Sequence, residues 1–216
     1  MISVSNRLLS IASFIDTNSN VFDIGCDHGL LDVYLTLYKN CFCTAIDVNS
    51  TIISRARSSF IKYDVLDKIS LVVGNGFNDL DIPYDSIIVL AGMGTSTILK
   101  ILNKNRSKDI ICQTNTDLYG LRKNVCDMGY YIESEDLVFD NMRYYVTIKF
   151  CVGSRKYSYE DYLLGPILRF SNSELFKTYV NKMYLKNIKG YNKAVIFNSD
   201  NLSGMKLFID TLKRYI

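Results

Sequence analysis

Histidine occurs once in this chain, at His28, and proline twice, at Pro83 and Pro166. The six cysteines, Cys26, Cys41, Cys43, Cys112, Cys126 and Cys151, include no C-x-x-C pair. With a single histidine to complete a ligand set, a structural zinc site has poor support, and no metal is expected. No apolar run comes near the roughly 20 residues that span a bilayer. The N-terminus lacks the basic-then-apolar layout of a secretion signal. A cytoplasmic protein without membrane contact is therefore expected, and disulfides are not. Cys41 and Cys43 share one face of a strand candidate and read as small buried hydrophobes.

A length of 216 residues fits one full domain plus a smaller appendage, or one large domain. Charge is divided unevenly along it. Residues 155–216 carry 11 basic against 5 acidic residues, a balance of +6, while the remainder carries 14 against 17, or −3. A basic appendage beside a mildly acidic body points to a polyanionic partner. The alternative is a lysine-rich helical face that is simply solvated.

The order of elements suggests an α/β fold. Ser5 is placed to cap a first helix with Leu8, Ile11, Ala12 and Ile15 on one face. Strand candidates follow at Val21–Gly25, Phe42–Asp47, Ile69–Gly74, Ser86–Ala91 and Asp109–Gln113. Between them lie helix candidates at Leu30–Tyr38, Ser50–Tyr63, Thr95–Leu102 and Leu118–Met128. Strands alternating with helices predict a parallel sheet of right-handed βαβ units. Tyr130–Phe139 and Met142–Val152 then form a strand pair around a tight turn at Asp140-Asn141, an antiparallel hairpin expected at the sheet edge. Five βα units closed by a hairpin resemble the class I, Rossmann-like fold of S-adenosylmethionine methyltransferases.

Gly153-Ser154 is a plausible boundary, dividing the chain into 1–153 and 154–216. Beyond a short segment from Tyr157 to Phe170, Ser173 is placed to cap a long helix with Leu175, Phe176, Tyr179, Val180 and Met183 on one stripe. Asn198 to Gly204 reads as a turn, and Met205, Phe208, Leu212 and Tyr215 mark a last helix. Two amphipathic helices joined by a turn predict a C-terminal α-helical hairpin.

The richest stretch is Asp23-Ile24-Gly25-Cys26-Asp27-His28-Gly29. A strand that ends in a glycine turn and restarts as a helix offers backbone N–H groups to an adenosine-bearing cofactor. The dinucleotide fingerprint G-x-G-x-x-G is broken here, because Asp27 and Leu30 occupy the second and third glycine positions. A carboxylate aimed at a pyrophosphate would cost several kcal/mol in a poorly solvated site. Beside the sulfonium or amino group of S-adenosylmethionine the same charge is favourable. Asp47, at the end of the second strand candidate, can accept both ribose hydroxyls or serve as a helix cap. Asn75, in Gly74-Asn75-Gly76, can read an adenine edge or occupy a plain turn.

Strand four ends in Ala91-Gly92-Met93-Gly94. Enzymes that methylate an exocyclic amine of a base carry two adjacent prolines and an aromatic residue there, which this chain lacks. A glycine loop leaves room for a flat base and agrees better with a ring nitrogen as nucleophile.

Taken together, Asp23–Gly29, Leu90-Ala91-Gly92-Met93-Gly94, Cys112-Gln113-Thr114-Asn115 and Leu163-Leu164-Gly165-Pro166-Ile167-Leu168 resemble the bacterial TrmK family, whose members methylate N1 of adenosine 22 in the D arm of tRNA. The resemblance runs over essentially the whole chain. Three departures stand out: Thr95 replaces a glycine, Thr114 replaces the proline of Gln-Pro-Asn, and Asn75 replaces an aspartate. The resemblance implies S-adenosylmethionine as cofactor and tRNA as partner; no stable protein partner is expected. It implies a cofactor site made of Asp23, Gly25, Asp27, His28, Asp47, Val48, Asn75, Gly76, Ala91, Gly92 and Met93. It also implies catalytic roles for Asp27 and Asn115, with Gln113 helping to orient the base. Another RNA or a small molecule is the alternative methyl acceptor.

Overall fold

The computed structural model describes residues 2–77, 80–103, 107–196 and 202–216. The chain divides into two compact units, Met1–Lys156 and Tyr157–Ile216. The division lies just past Gly153-Ser154.

The first unit is built on a seven-stranded sheet. Its strands are β1 (Asn20–Ile24), β2 (Phe42–Asp47), β3 (Ile69–Val73), β4 (Ile87–Met93), β5 (Asp109–Thr114), β6 (Tyr130–Asp140) and β7 (Arg143–Val152). They lie in the order β3-β2-β1-β4-β5-β7-β6. The first five are parallel, and the β6–β7 hairpin joins antiparallel through β7 against β5. Along β4, Ile87, Ile88, Val89 and Leu90 are all buried. Such a run suits a central parallel strand covered by helices on both faces. The hairpin turn places Asn141 and Met142 at positive φ, the backbone that a two-residue connection requires.

Helices α1 (Asn6–Ser13), α2 (Leu30–Lys39), α3 (Ser50–Lys62), α4 (Thr95–Leu102) and α5 (Leu118–Asp127) complete the unit. Local chemistry sets their starts. Ser5, Asn49 and Asp117 each accept a backbone N–H from the first turn that follows. Helix α5 is tied to β6 by the buried pair Arg122 Nε–Glu135 Oε1 at 2.7 Å. Cys41 and Cys43 are both buried, and burial pushes their thiols up.

The second unit holds α6 (Tyr159–Leu164), a single 3-10 turn at Leu168–Phe170, α7 (Glu174–Ile196) and α8 (Leu202–Lys213). Ser173 caps α7 by accepting from Phe176 N–H at 3.0 Å. Phe176, in the first turn of α7, meets Tyr215, beyond the end of α8, edge to face at 6.3 Å. That contact makes the two helices antiparallel. Tyr215 donates to Glu160 at 2.7 Å, and Arg214 and Arg169 pair with the same carboxylate. Of the turn expected over residues 198–204, Asn198–Asn201 lie outside the described residues. Leu202–Gly204 form the first turn of α8 instead, where one glycine is tolerated. Among the described residues, no helix is long and apolar enough to cross a membrane, and no cluster of three or more His, Cys, Asp or Glu residues is arranged to hold a metal.

Candidate active site

The C-terminal ends of the parallel strands open into one cavity of ≈ 530 Å³. This is the crevice position expected for ligands in open α/β sheets. Between β1 and α2, Gly25, Asp27 and Gly29 all adopt positive φ, at 80°, 52° and 66°. Aspartate is one of the few side chains that enter this region readily. Gly25 and Cys26 donate their N–H groups to Ile46 O at 2.8 and 3.2 Å, which ties the turn to β2. A Cβ on Gly25 would run into the Met93 side chain, so Gly25 lets β4 close over the turn. Asp27 and His28 both line the cavity and are more than half exposed, with His28 Nε2 3.7 Å from Asp27 Oδ1.

Asp47 also lines the cavity. Its Oδ1 accepts from Asn49 N–H at 2.9 Å, and Asn49, not Asp47, caps α3. The other Asp47 oxygen has no such duty. Val48, Asn75 and Gly76 line the same end. Val48 is 69% exposed, an apolar surface left open beside the acid.

Asp23 differs from the other two acids. It is buried, and its carboxyl faces that of Asp32 on α2. Neither Asp32 oxygen meets a donor. A proton on either carboxyl lets it donate to the other. Burial pushes the Asp23 carboxyl up to about 7, with Asp32 and Arg7 drawing it back down, and burial also raises Asp32. Asp27 and Asp47 are the other two acids that line the cavity.

At the other end, Gly92 forms a bulge in the β4–β5 pairing at φ 79°. A Cβ there would stand 3.3 Å from Arg7 Nη1, so the missing side chain makes room for the guanidinium. Arg7 lines the cavity with Ala91, Met93, Asn115, Arg143 and Tyr145. Its guanidinium lies 5.7 Å from the centre of the Tyr145 ring. Asn115 donates from Nδ2 to Gly92 O at 2.6 Å.

Gln113 does not line the cavity. It is fully buried, accepting from Arg7 Nη1 at 3.3 Å and donating to Thr147 Oγ1 at 2.9 Å. The expectation that it orients the substrate is replaced by a role beneath Arg7. Every other residue expected at the site lines the one cavity. Sequence reasoning missed Arg7, Arg143 and Tyr145. The available signal was that Arg7 is the only lysine or arginine before Lys39.

Comparison with known proteins fits this geometry. A methyltransferase-domain family model matches residues 4–148. The tRNA (adenine(22)-N(1))-methyltransferase of Bacillus subtilis is 24% identical over 187 residues, covering 81% of this chain and 79% of that protein. A Mycoplasma genitalium protein, provisionally named a tRNA methyltransferase, is 30% identical over 174 residues, covering 76% and 78%. The chain belongs to the TrmK family. The structure of Mycoplasma capricolum TrmK bound to S-adenosylhomocysteine superposes with a TM-score of 0.87 at 22% identity, over 98% of this chain and 97% of that one. The B. subtilis TrmK structure gives 0.89 at 20% identity over 100% of both chains. These structures show that the fold is shared throughout. Two departures from the family pattern, Thr95 and Thr114, are in direct contact, with their hydroxyl oxygens 2.9 Å apart.

Proposed function

We propose that this protein transfers a methyl group from S-adenosylmethionine to N1 of adenosine 22 in the D arm of tRNA. The observation that carries the reading is a single cavity with acids at one end and Arg7 with Asn115 at the other. S-adenosylmethionine supplies an activated methyl group on a sulfonium, carried between an adenosine and an amino acid. The residues present fit it. Asp47 has an oxygen free for a ribose, Val48 offers an apolar surface to a flat ring, and Asn75 offers a donor and an acceptor to an adenine edge. Asp27 suits the cationic portion. Arg7 suits the carboxylate, and it has no ion-pair partner of its own among the described residues.

Adenine N1 has an in-plane lone pair, so no residue need act as a general base. The site must hold the ring in line and stabilise the cation that forms on it. Asn115 Nδ2 is committed to Gly92 O, which leaves Oδ1 to accept from the N6 amino group. The carboxylate of Asp27 stabilises the positive charge that spreads over the ring and its amino group. Tyr145 provides an aromatic face in the same cavity.

The second unit supplies a cationic surface. Lys182, Lys186, Lys189 and Lys193 are exposed and recur at spacings of four, three and four along α7, which puts them on one face. Such a stripe tracks a phosphate backbone and sets affinity and register, with base identity read elsewhere. In a folded tRNA, N1 of a paired adenine is hidden, so the target base must leave its pair. Action on tRNA agrees with the cytoplasmic location expected from the sequence.

Mass spectrometry of tRNA digested after incubation with isotope-labelled S-adenosylmethionine tests the reading. One added methyl on adenine N1 at position 22 is expected, with free adenosine left unmodified. Label on another position, or on free adenosine in preference to tRNA, would replace tRNA adenosine 22 as the substrate.

A further inference from the structure

Three threonine hydroxyls join the start of α4 to the loop after β5. Thr95 Oγ1 donates to Asp117 O at 2.7 Å and lies 2.9 Å from Thr114 Oγ1. Thr116 Oγ1 accepts from the Thr95 backbone N–H at 3.0 Å and donates to Thr95 Oγ1 at 3.3 Å. Thr114 Oγ1 reaches Met93 O at 3.2 Å and accepts from Thr116 N–H at 3.2 Å. One proton per hydroxyl satisfies the set: Thr116 donates to Thr95, Thr95 to Asp117, and Thr114 shares its proton between Thr95 and Met93. Thr95 and Thr114 are buried, so these bonds are sheltered from competing water.

Asn115 sits inside this frame. Its backbone N–H donates to Met93 O at 2.9 Å, and its side-chain Nδ2 donates to Gly92 O at 2.6 Å. A backbone carbonyl only accepts, so the amide atom facing Gly92 must be the nitrogen. Oδ1 therefore turns the other way, on the residue that lines the cavity. Were the loop to shift away from β4, that orientation would be lost, because no other hydrogen bond among the described residues holds the side-chain amide.

We propose that the hydroxyl cluster of Thr95, Thr114 and Thr116 is a positioning device for Asn115, holding its Oδ1 where it accepts from the N6 amino group of the target adenine. The proposal rests on the reading of adenine as methyl acceptor. Thr95 and Thr114 stand where the family pattern has glycine and proline. At this position the chain constrains the loop by hydrogen bonds between two side chains, where a proline would constrain it through its own backbone.

The test uses the full chain. Thr95→Val and Thr114→Val remove a hydroxyl and keep the branched shape, and Thr95→Ser keeps the hydroxyl. Thr95→Val is expected to lower kcat for tRNA roughly tenfold, the scale of a small misplacement. Its Kd for S-adenosylmethionine should be unchanged, and Thr95→Ser should stay near wild type. In an Asn115→Ala background, Thr95→Val should lower kcat no further, since residues acting through one another are not additive. An equal loss of kcat in both backgrounds, or an Asn115→Ala protein as active as wild type, overturns the proposal.

A second readout needs no substrate. The two side-chain amide protons of Asn115 should give well-separated NMR signals in the wild-type protein. Those signals should move toward free-amide positions in Thr95→Val and Thr114→Val. Identical signals in wild type and variants overturn the proposal. Should the signals move while the wild-type protein leaves tRNA adenine unmethylated, the positioning stands and the adenine reading alone fails.

Discussion

Arg7 donates through Nη1 to the buried Oε1 of Gln113 at 3.3 Å, although the two residues are 106 positions apart. Gln113 in turn donates to Thr147 Oγ1, which lies 2.8 Å from Ser10 Oγ. Ser10 is one turn beyond Arg7 on α1, so the polar circuit closes on the helix where it began. A guanidinium held this way keeps its remaining donors free and its position fixed, which lowers the cost of binding an anion.

Replacing Arg7 by alanine should therefore weaken S-adenosylmethionine binding by about 2 kcal/mol, roughly thirtyfold in Kd, the scale of a hydrogen bond to a charged group. Isothermal titration calorimetry measures it directly. Arg7→Lys should recover only part of the loss, because an ammonium lacks the planar fork. An unchanged Kd in Arg7→Ala would remove Arg7 from the cofactor site.

Asp27→Asn should separate binding from chemistry. The amide keeps the size and part of the hydrogen bonding, so cofactor affinity should stay within about tenfold. Turnover should fall by roughly a hundredfold or more, because the lost charge would stabilise a cation present only as the reaction proceeds. Single-turnover kinetics with saturating cofactor reads the chemical step. A near-wild-type rate would show that Asp27 has no part in it.

Much of the first unit was legible in the sequence because its signals are local. Alternating β and α segments, a glycine at a strand end and an acid where a strand stops all depend on a few neighbouring residues. The predicted strands Phe42–Asp47 and Asp109–Gln113 correspond to β2 and to all but the last residue of β5. Arg7, Arg143 and Tyr145 were not legible, because they reach the cavity from α1 and β7, elements brought there by tertiary packing. Gln113 was misassigned for a related reason. It stands two residues from Asn115, and at the end of a strand this is enough to place one side chain in the interior and leave the other exposed. The burial of Asp32 was hidden as well, since an acid in the first turn of a helix ordinarily reads as a solvated dipole partner.

The lysine stripe on α7 makes an electrostatic prediction. Replacing Lys182, Lys186, Lys189 and Lys193 together by alanine should weaken tRNA binding at low salt and leave S-adenosylmethionine binding unchanged. The slope of log K against log salt should fall by about one for each phosphate contact removed. Filter binding across a salt series gives both quantities. A variant with the same affinity and slope would mean that α7 presents a merely solvated face.

The Asp23–Asp32 pair predicts a stability change with pH whose sign is opposite to that of an ion-paired carboxylate. The ordinary value for both groups is 3.8, and burial raises Asp23 to about 7 and Asp32 well upward. Between about pH 4 and pH 7 both carboxyls of the folded protein hold protons that the unfolded chain has released. Stability from this pair is therefore fully present below about pH 4 and is lost as pH rises through 7. Asp32→Asn replaces the protonated carboxyl by an amide that donates at every pH, and Asp23 keeps a partner. Between pH 5 and pH 8 the wild-type melting temperature should fall relative to that of Asp32→Asn, by a few degrees for a protein of this size. Differential scanning fluorimetry of the two proteins across that range cancels the titration of groups they share. Parallel curves would mean that the two carboxyls ionise alike in the folded and unfolded chains.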